Sequence, residues 1–165
     1  MSRYKLYTPL ALALAVGILL QAVLIAADQR KTPQDAAIAF SKAYFMLDPS
    51  MADWLCKEQK TVNDVETVDR YLDRVAKEAK EKGYGRDFMK SRLYDVKTKM
   101  LRNDGKTAEI RLTGKKRFAM NPLYAAVGQI FGLTKASRVE EVLSVAKENG
   151  QWKVCGTPFQ LAAEI

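Results

Sequence analysis

Hydrophobic and polar positions are distributed very unevenly at the start of the chain. No charged residue occurs between Leu6 and Ala27. A helix of this length spans roughly 33 Å at about 1.5 Å per residue, which is enough to cross the hydrocarbon core of a bilayer. Arg3 and Lys5 precede the segment and no acidic residue does, which favours a cytoplasmic N-terminus. The pattern predicts that this segment takes the rest of the chain out of the cytoplasm.

The apolar segment from Leu6 to Ala27 can be interpreted in two ways. It is either a retained transmembrane anchor or a signal peptide cleaved after Ala27, since Ile25 and Ala27 are acceptable before a cleavage site. We expect the single-pass anchor, because the run is longer than the usual signal core of about 7–15 residues. Cleavage would give a secreted or periplasmic protein instead. Either way the chain is predicted to contain an anchor or signal at 1–27, a short linker at 28–31 and a single extracytoplasmic domain at 32–165.

Beyond the linker, the apolar positions follow a helical period. A Thr-Pro-Gln-Asp capping box opens at Thr32, and apolar residues then recur every three or four positions up to Leu47. The Asp48-Pro49 step ends this helix and starts a shorter one. A second capping box, in outline, begins at Asn63. The pattern predicts three helices, at 32–47, 49–56 and 63–83.

After Ser91 the period changes from helical to twofold, which indicates β-strands. The face predicted to be apolar in the first strand contains Tyr94, Val96, Thr98 and Met100. Two turn sequences, Asn103-Asp104-Gly105 and Asn149-Gly150, each separate a pair of alternating segments and predict two hairpins. The domain is therefore predicted to be α+β, with helices packed on a curved antiparallel sheet that follows the N-terminal membrane helix.

The segment 118–134 lies between the two hairpins and has no charged residue. Asn121-Pro122 is typical of a helix start, so a short helix is predicted here. This helix either covers the sheet or enters the membrane interface, helped by flanking basic residues. The candidates for the interface are Leu123, Val127, Ile130 and Phe131, with Lys115, Lys116 and Arg117 before them.

Two cysteines, Cys56 and Cys155, follow the apolar segment. In an oxidising compartment an isolated pair usually forms a structural disulfide, which we expect here. The alternative is a pair of thiols in a redox or metal site, but the sequence has neither C-x-x-C spacing nor a histidine. No metal and no cofactor is therefore predicted.

The formal net charge is +8 and the isoelectric point about 9.5. In a cytosolic protein this charge would suggest nucleic acid as a partner, but export removes that class. Lipid headgroups, cell-wall polymers and acidic proteins are the anionic partners left in the envelope. The alternative is that the basic residues only keep the domain soluble.

Two short sequence features occur at the ends of the predicted domain. The opening helix leads through Asp48-Pro49 into a short aromatic helix, and the last strand reads Gly-Gln-Trp-Lys-Val from Gly150 to Val154. In both, the chain resembles the nuclear transport factor 2-like superfamily, in particular its small bacterial envelope members, over about Thr32 to Cys155. The resemblance implies a cone, in which a curved sheet wraps against the helices and often encloses an apolar pocket.

The same resemblance implies an enzymatic alternative, since some members are isomerases or dehydratases with an aspartate, or an aspartate and a histidine, inside the cone. The absence of histidine excludes the paired arrangement. Asp48 or Asp53 alone could act as a general base if burial raised its pKa. The competing interpretation is that Asp48 caps a helix and Asp53 lies on the surface. No nucleophile elbow or phosphate-binding glycine loop is present.

These observations favour a non-enzymatic, membrane-tethered envelope protein that acts as an accessory or binding module for a partner protein or an apolar ligand. An apolar ligand requires a concave pocket. The residues predicted to line it are Phe40, Tyr44, Trp54, Val96, Ile110 and Trp152. The competing interpretation is that these side chains simply fill the core.

Overall fold

The computed structural model describes residues 12–23, 32–62, 65–119 and 136–161. The chain divides into two compact units, Met1–Lys31 and Thr32–Ile165. In the first unit, helix α1 covers residues 12–23 and its side chains are exposed. No helix in the ranges just given has the length and apolar character needed to span a membrane. The structure therefore does not support the predicted membrane helix, and the rest of the predicted segment 1–27 lies outside the described residues.

The second unit has helices followed by an antiparallel sheet, which confirms the predicted α+β class. Its elements are α2 (Pro33–Met46), a 3-10 helix (Pro49–Trp54), α3 (Lys57–Lys60), β1 (Thr61–Val62), β2 (Val65–Glu66), α4 (Thr67–Glu81), a second 3-10 helix (Arg86–Met89), β3 (Ser91–Asn103), β4 (Thr107–Phe118), β5 (Ser137–Glu148), β6 (Gln151–Cys155) and a third 3-10 helix (Pro158–Gln160). The four long strands lie in the order β3-β4-β5-β6, and β1 pairs with β2 separately.

Helix α2 begins where the capping box predicted. The Thr32 amide donates to Asp35 Oδ2 at 3.0 Å, and the Asp35 amide donates to Thr32 Oγ1 at 3.2 Å. This reciprocal arrangement satisfies two amides that a helix start otherwise leaves without partners. The buried face of α2 contains Ala36, Ala37 and Phe40, which belong to the hydrophobic core.

Helix α4 begins later than predicted. The predicted start at 63 was wrong, because the chain first forms the β1–β2 hairpin and the helix starts at Thr67, with Glu66 as an N-cap that makes no side-chain bond. Val65 lies in β2 and is 41% exposed. Within α4, Val68, Leu72, Val75 and Ala79 are buried at helical spacing. The chain leaves the helix at Gly83, whose φ of +77° suits glycine.

Both predicted hairpins are present. In the β5–β6 turn, Asn149 has φ +49° and Gly150 has φ +83°, which are left-handed conformations that tight hairpin turns require and that these residue types tolerate. In the β3–β4 turn, the Asp104 carboxylate accepts from the amides of Lys106 at 2.8 Å and Thr107 at 2.6 Å. These bonds lower the pKa of Asp104 to about 2, because they favour its charged form.

A β-bulge in β3 reverses part of the predicted alternation. The register with β4 shifts between Tyr94 and Lys97, and Asp95 within the shift has φ +52°. Leu93 and Val96 therefore both face the helices, three positions apart. Tyr94 lies opposite Lys115 and faces the other way, so its predicted place on the apolar face was wrong. A second shift between Met100 and Arg102 adds to the curvature of the sheet.

One hydrophobic core lies between the helices and one face of the sheet. Alternate residues of β4, from Ala108 to Gly114, are buried against it, and so are Val139, Leu143 and Val145 of β5. Helix α2 contacts all four long strands on this helix-facing side. The opposite face, called the outer face below, carries the alternate residues of β3, β4 and β5.

Candidate functional site

The six residues predicted to line a ligand pocket all belong to the core or pack against it. Phe40, Ile110 and Trp152 are buried members of the core cluster, whereas Tyr44, Trp54 and Val96 are partly buried around it. The structure therefore brings the six together, in the arrangement that the core-filling interpretation expects.

The two aspartates considered as a general base are both exposed. The Asp48 carboxylate accepts a hydrogen bond from the Ser50 amide at 2.9 Å, and this bond holds the pKa of Asp48 below its ordinary value. A base tuned by burial needs a shift in the other direction. Asp48 is therefore the N-cap of the first 3-10 helix, as the competing interpretation expects. Within the described ranges, no group of three or more acidic, cysteine or histidine side chains could hold a metal ion.

The two cysteines form a disulfide-compatible pair. The Cα atoms of Cys56 and Cys155 are 5.2 Å apart, and 99 positions separate them in the sequence. The surrounding backbone is tied together as well, since the Cys56 amide donates to the Val154 carbonyl at 2.9 Å. The Lys153 ammonium donates to the Asp53 carbonyl at 2.6 Å. The pair joins the segment after the first 3-10 helix to the edge strand β6.

Tyr71, which is buried, and Tyr44, which is partly buried, form a hydrogen-bonded chain in which Tyr71 was not among the residues predicted to matter. The Tyr71 hydroxyl donates to the Tyr44 oxygen, and the Tyr44 hydroxyl donates to the Phe159 carbonyl at 2.9 Å. The ring of Tyr44 stacks on Tyr71 and on Phe159, each with centroids 4.9 Å apart. Burial raises the pKa of both tyrosines, because the apolar surroundings disfavour the phenolate.

We expect these tyrosines to destabilise the protein in alkali. A raised folded-state pKa means that the unfolded chain ionises first, at about pH 10, so the stabilising contribution is complete below that pH and is lost as the pH rises towards the folded-state value. Each such tyrosine adds a slope of about 1.4 kcal/mol per pH unit. Urea unfolding measured at a series of pH values should show a smaller alkaline loss in Tyr71→Phe than in the wild type. Equal losses would contradict the hydrogen-bonded chain of Tyr71 and Tyr44.

The outer face of β3, β4 and β5 is strongly basic. Among the described residues this surface, called the basic face, carries eight exposed cations and three acids. The cations are Arg92, Lys97, Lys99, Arg102, Arg111, Lys115, Arg117 and Arg138, and the acids are Asp95, Glu109 and Glu140. From Arg92 to Arg102 the face is about 33 Å long, and its three strands are about 10 Å across.

The register places cations directly opposite each other on this face. Arg92 pairs with Arg117, and Lys99 pairs with Arg111, across β3 and β4. Lys115 pairs with Arg138 across β4 and β5. Like charges in directly opposed positions destabilise a sheet, whereas opposite charges there contribute roughly 0.2–1 kcal/mol. The arrangement is therefore unfavourable for folding at three places.

The acids offset only part of this charge. Lys115 Nζ lies 3.2 Å from Asp95 Oδ2, whereas Glu140 lies 3.9 Å from Arg111 and 3.8 Å from Arg138. These are exposed pairs, which contribute little. The guanidinium of Arg117 stands 5.5 Å above the ring of Tyr94, a contact that leaves the positive charge on the surface.

Three exposed aromatic side chains lie near the Ser91 end of β3, and the alternation along β4 puts one of them, Phe118, on the helix-facing side, opposite to the basic face. Tyr84 and Phe88 have ring centroids 5.9 Å apart and are 57% and 63% exposed. Phe88 is three residues before Ser91, the first residue of β3, and Ser91 pairs with Phe118, which is 57% exposed.

The residues predicted to enter a membrane interface are only partly described. Leu123, Val127, Ile130 and Phe131 lie outside the described residues. Lys115 and Arg117 are on the basic face. Lys116 lies on the other side of β4, with its ammonium 5.2 Å from the ring centroid of Phe45.

Comparison with known proteins adds no family to this description. The chain matches no protein-family model. Neither curated proteins nor solved structures give a significant match. The resemblance to the nuclear transport factor 2-like superfamily therefore stays a prediction.

Proposed function

We propose that this protein is a non-enzymatic, membrane-tethered envelope module whose basic face binds an anionic partner. The observation that carries the proposal is the set of three like-charge pairs across the strands, Arg92 with Arg117, Lys99 with Arg111 and Lys115 with Arg138. A sheet that needed charge only for solubility would be better served by interspersed signs. Retaining opposed cations at the expense of stability is typical of a binding surface.

Two observations support the proposed location outside the cytoplasm. The disulfide-compatible pair Cys56–Cys155 suits an oxidising environment outside the cytoplasm. The uncharged run from Leu6 to Ala27 supplies an export device and a tether. With nucleic acid removed by export, the anionic partners available to the basic face are those of the envelope.

The packing of the core supports a binding surface more than a ligand pocket. The buried side chains that could have lined a ligand cavity pack together in one cluster. The alternative of an apolar ligand therefore depends on groups that already have apolar neighbours. The basic face, in contrast, consists of exposed side chains at fixed positions on a sheet.

Reversing two opposed cations should weaken anion binding while it strengthens the fold. In the double variant Arg92→Glu, Lys99→Glu, each like-charge pair becomes an opposite-charge pair, so unfolding should require more free energy by about 0.4–2 kcal/mol. Affinity of the full chain, in neutral detergent, for fluorescent poly-L-glutamate should fall by roughly tenfold or more, which is about 1.4 kcal/mol. Fluorescence anisotropy and urea unfolding measure the two effects.

The matched control is Lys42→Glu, Lys77→Glu. Both lysines are exposed on helices, and the double change lowers the net charge by the same amount. We expect the control to bind poly-L-glutamate within about twofold of the wild type, because distant exposed charges are screened. Equal loss of binding in the two variants would show that net charge alone matters and would overturn the assignment of the basic face.

A further inference from the structure

The segment 156–161, which follows β6, lies against the aromatic rings of α2. The ring of Phe159 stacks on Tyr44 with centroids 4.9 Å apart and meets Phe45 edge to face at 5.1 Å. It is also parallel to the ring of Phe40, at 6.4 Å. The Tyr44 hydroxyl donates to the Phe159 carbonyl at 2.9 Å. The three rings of α2 thus form a slot, called the aromatic slot below, and Phe159 fills it.

The neighbours of Phe159 in the segment are anchored as well. Pro158 is buried, and Leu161 is 4% exposed and belongs to the hydrophobic core. The segment therefore has the form Pro-aromatic-x-Leu, with apolar contacts at the three named positions and a side-chain hydrogen bond to its main chain. Apolar anchors combined with main-chain hydrogen bonds are typical of the way in which folded domains bind extended peptides.

The segment is held in a way that favours its release. Phe159 has φ +50°, a left-handed conformation that an aromatic residue adopts only at an energetic cost. The turn is a 3-10 helix of three residues, in which the Leu161 amide donates to the Pro158 carbonyl. The Phe159 ring is half-buried. A short, strained segment with a partly exposed anchor belongs to the least stable part of a fold.

The aromatic slot has supports that do not depend on the segment. Cys155 pairs with the cysteine after the first 3-10 helix and fixes the end of β6 one residue before the segment begins. Tyr71 stacks on the ring of Tyr44 at 4.9 Å, and the Lys116 ammonium lies 5.2 Å from the ring centroid of Phe45. The slot should therefore keep its shape when the segment leaves, which lowers the cost of binding another chain.

We propose that the aromatic slot is a peptide-binding site and that the segment 156–161 closes it in the free protein. Its ligand is an extended peptide of a partner protein that carries Pro-aromatic-x-Leu and takes the place of the segment. The segment itself identifies this occupant, since it shows which side chains fit and where the Tyr44 hydroxyl meets a carbonyl. The slot lies on the helix-facing side of the sheet, so the inference goes beyond the proposed function and does not depend on the basic face.

Binding of a peptide to the full chain in neutral detergent tests the proposal. Fluorescein-labelled Gly-Thr-Pro-Phe-Gln-Leu, the sequence of the segment, is titrated with the chain while fluorescence anisotropy is recorded. The segment competes with this peptide, so the wild type binds it with an affinity reduced by the fraction of molecules that are open. The variant Phe159→Ala, Leu161→Ala, whose segment lacks two anchors, should bind at least about tenfold more tightly.

A matched variant and a matched peptide control for non-specific binding. Phe88→Ala also removes a phenylalanine ring, but one that is 63% exposed and outside the slot, so it should bind the peptide as the wild type does. The peptide with alanine in place of phenylalanine should bind the double variant at least about tenfold more weakly, because it has no ring to fill the slot.

Hydrogen exchange of the wild type, followed by NMR, tests release without any substitution. The Leu161 amide should exchange through local opening, at a rate that low urea concentrations do not change. Amides that pair β4 with β5 should exchange through global unfolding instead, at a rate that rises with urea. Exchange of the Leu161 amide only through global unfolding would overturn a replaceable segment, even if the double variant failed to fold.

Other results would also overturn the inference. Equal affinity of the wild type and the double variant would place the peptide outside the slot, and equal affinity for the two peptides would remove the role of the ring. A dimer of the wild type that the peptide dissociates would make a second copy of this chain the occupant, in place of a partner protein. These outcomes leave the binding of poly-L-glutamate by the basic face unchanged, so the proposed function is tested separately.

Discussion

Replacing both cysteines, Cys56→Ser and Cys155→Ser, should remove a large part of the stability of the domain. The cross-link closes a segment of 99 positions, and loop-closure entropy for a loop of this size corresponds to about 4.7 kcal/mol at most. We expect a loss of about 2–4 kcal/mol, the usual contribution of a disulfide, and the folded state should survive, because the Cys56 amide still donates to the Val154 carbonyl and the Lys153 ammonium to the Asp53 carbonyl. The midpoint of urea unfolding measures the loss.

Reduction of the wild-type protein should produce the same shift as the double replacement. Dithiothreitol should leave the double variant unchanged, which controls for effects of the reductant on other groups. Small domains often have only about 5–15 kcal/mol of stability, so a shift of this size is readily measured. Identical unfolding curves for oxidised and reduced wild type would mean that the two sulfurs are not bonded.

Local signals in the sequence were sufficient for much of the fold. The capping box at Thr32 and the Asn149-Gly150 turn each act over a few residues, so their effect is written in the sequence next to them. The same holds for the twofold period of β4 and β5. These elements were predicted at nearly the right positions.

The bulge at Asp95 could not be predicted in the same way. It depends on how β3 meets β4, in particular on the close approach of Leu93 to Gly114. A Cβ atom at Gly114 would lie 3.3 Å from Leu93 Cδ1 and 3.4 Å from the Tyr94 carbonyl oxygen. A contact between two residues that are far apart in the sequence leaves no periodic pattern around either of them, so strict alternation was the natural prediction.

The basic face could not be predicted either, because it also depends on the pairing of strands. The number of basic residues was visible in the sequence, but the opposition of Arg92 to Arg117 exists only once the register is known. Lys115 and Arg117 were singled out, yet as flanks of an apolar segment. Phe159, which completes the tyrosine cluster, has φ +50° in a short 3-10 helix and follows no repeating pattern.

The change Phe40→Ala decides between a pocket and a filled core, and it should have one of the largest effects in the protein. The Phe40 ring is 0% exposed, with the ring centroids of Tyr44 and Phe159 at 6.2 and 6.4 Å. Truncating a fully packed phenylalanine lowers the free energy of unfolding by about 3–5 kcal/mol, because apolar contacts are lost and a cavity is left. Urea unfolding measures the loss.

The matched control for this test is Phe88→Ala, since that ring is 63% exposed and its truncation should change the free energy of unfolding by about 0.5 kcal/mol or less. If Phe40 lined an open ligand pocket instead, its truncation would cost little stability and would abolish the binding of an apolar fluorescent probe. A small loss of stability in Phe40→Ala, together with loss of probe binding, would therefore favour the binding of an apolar ligand in a pocket. A large loss would keep Phe40 in the core and would favour the proposed basic face over an apolar pocket as the binding site.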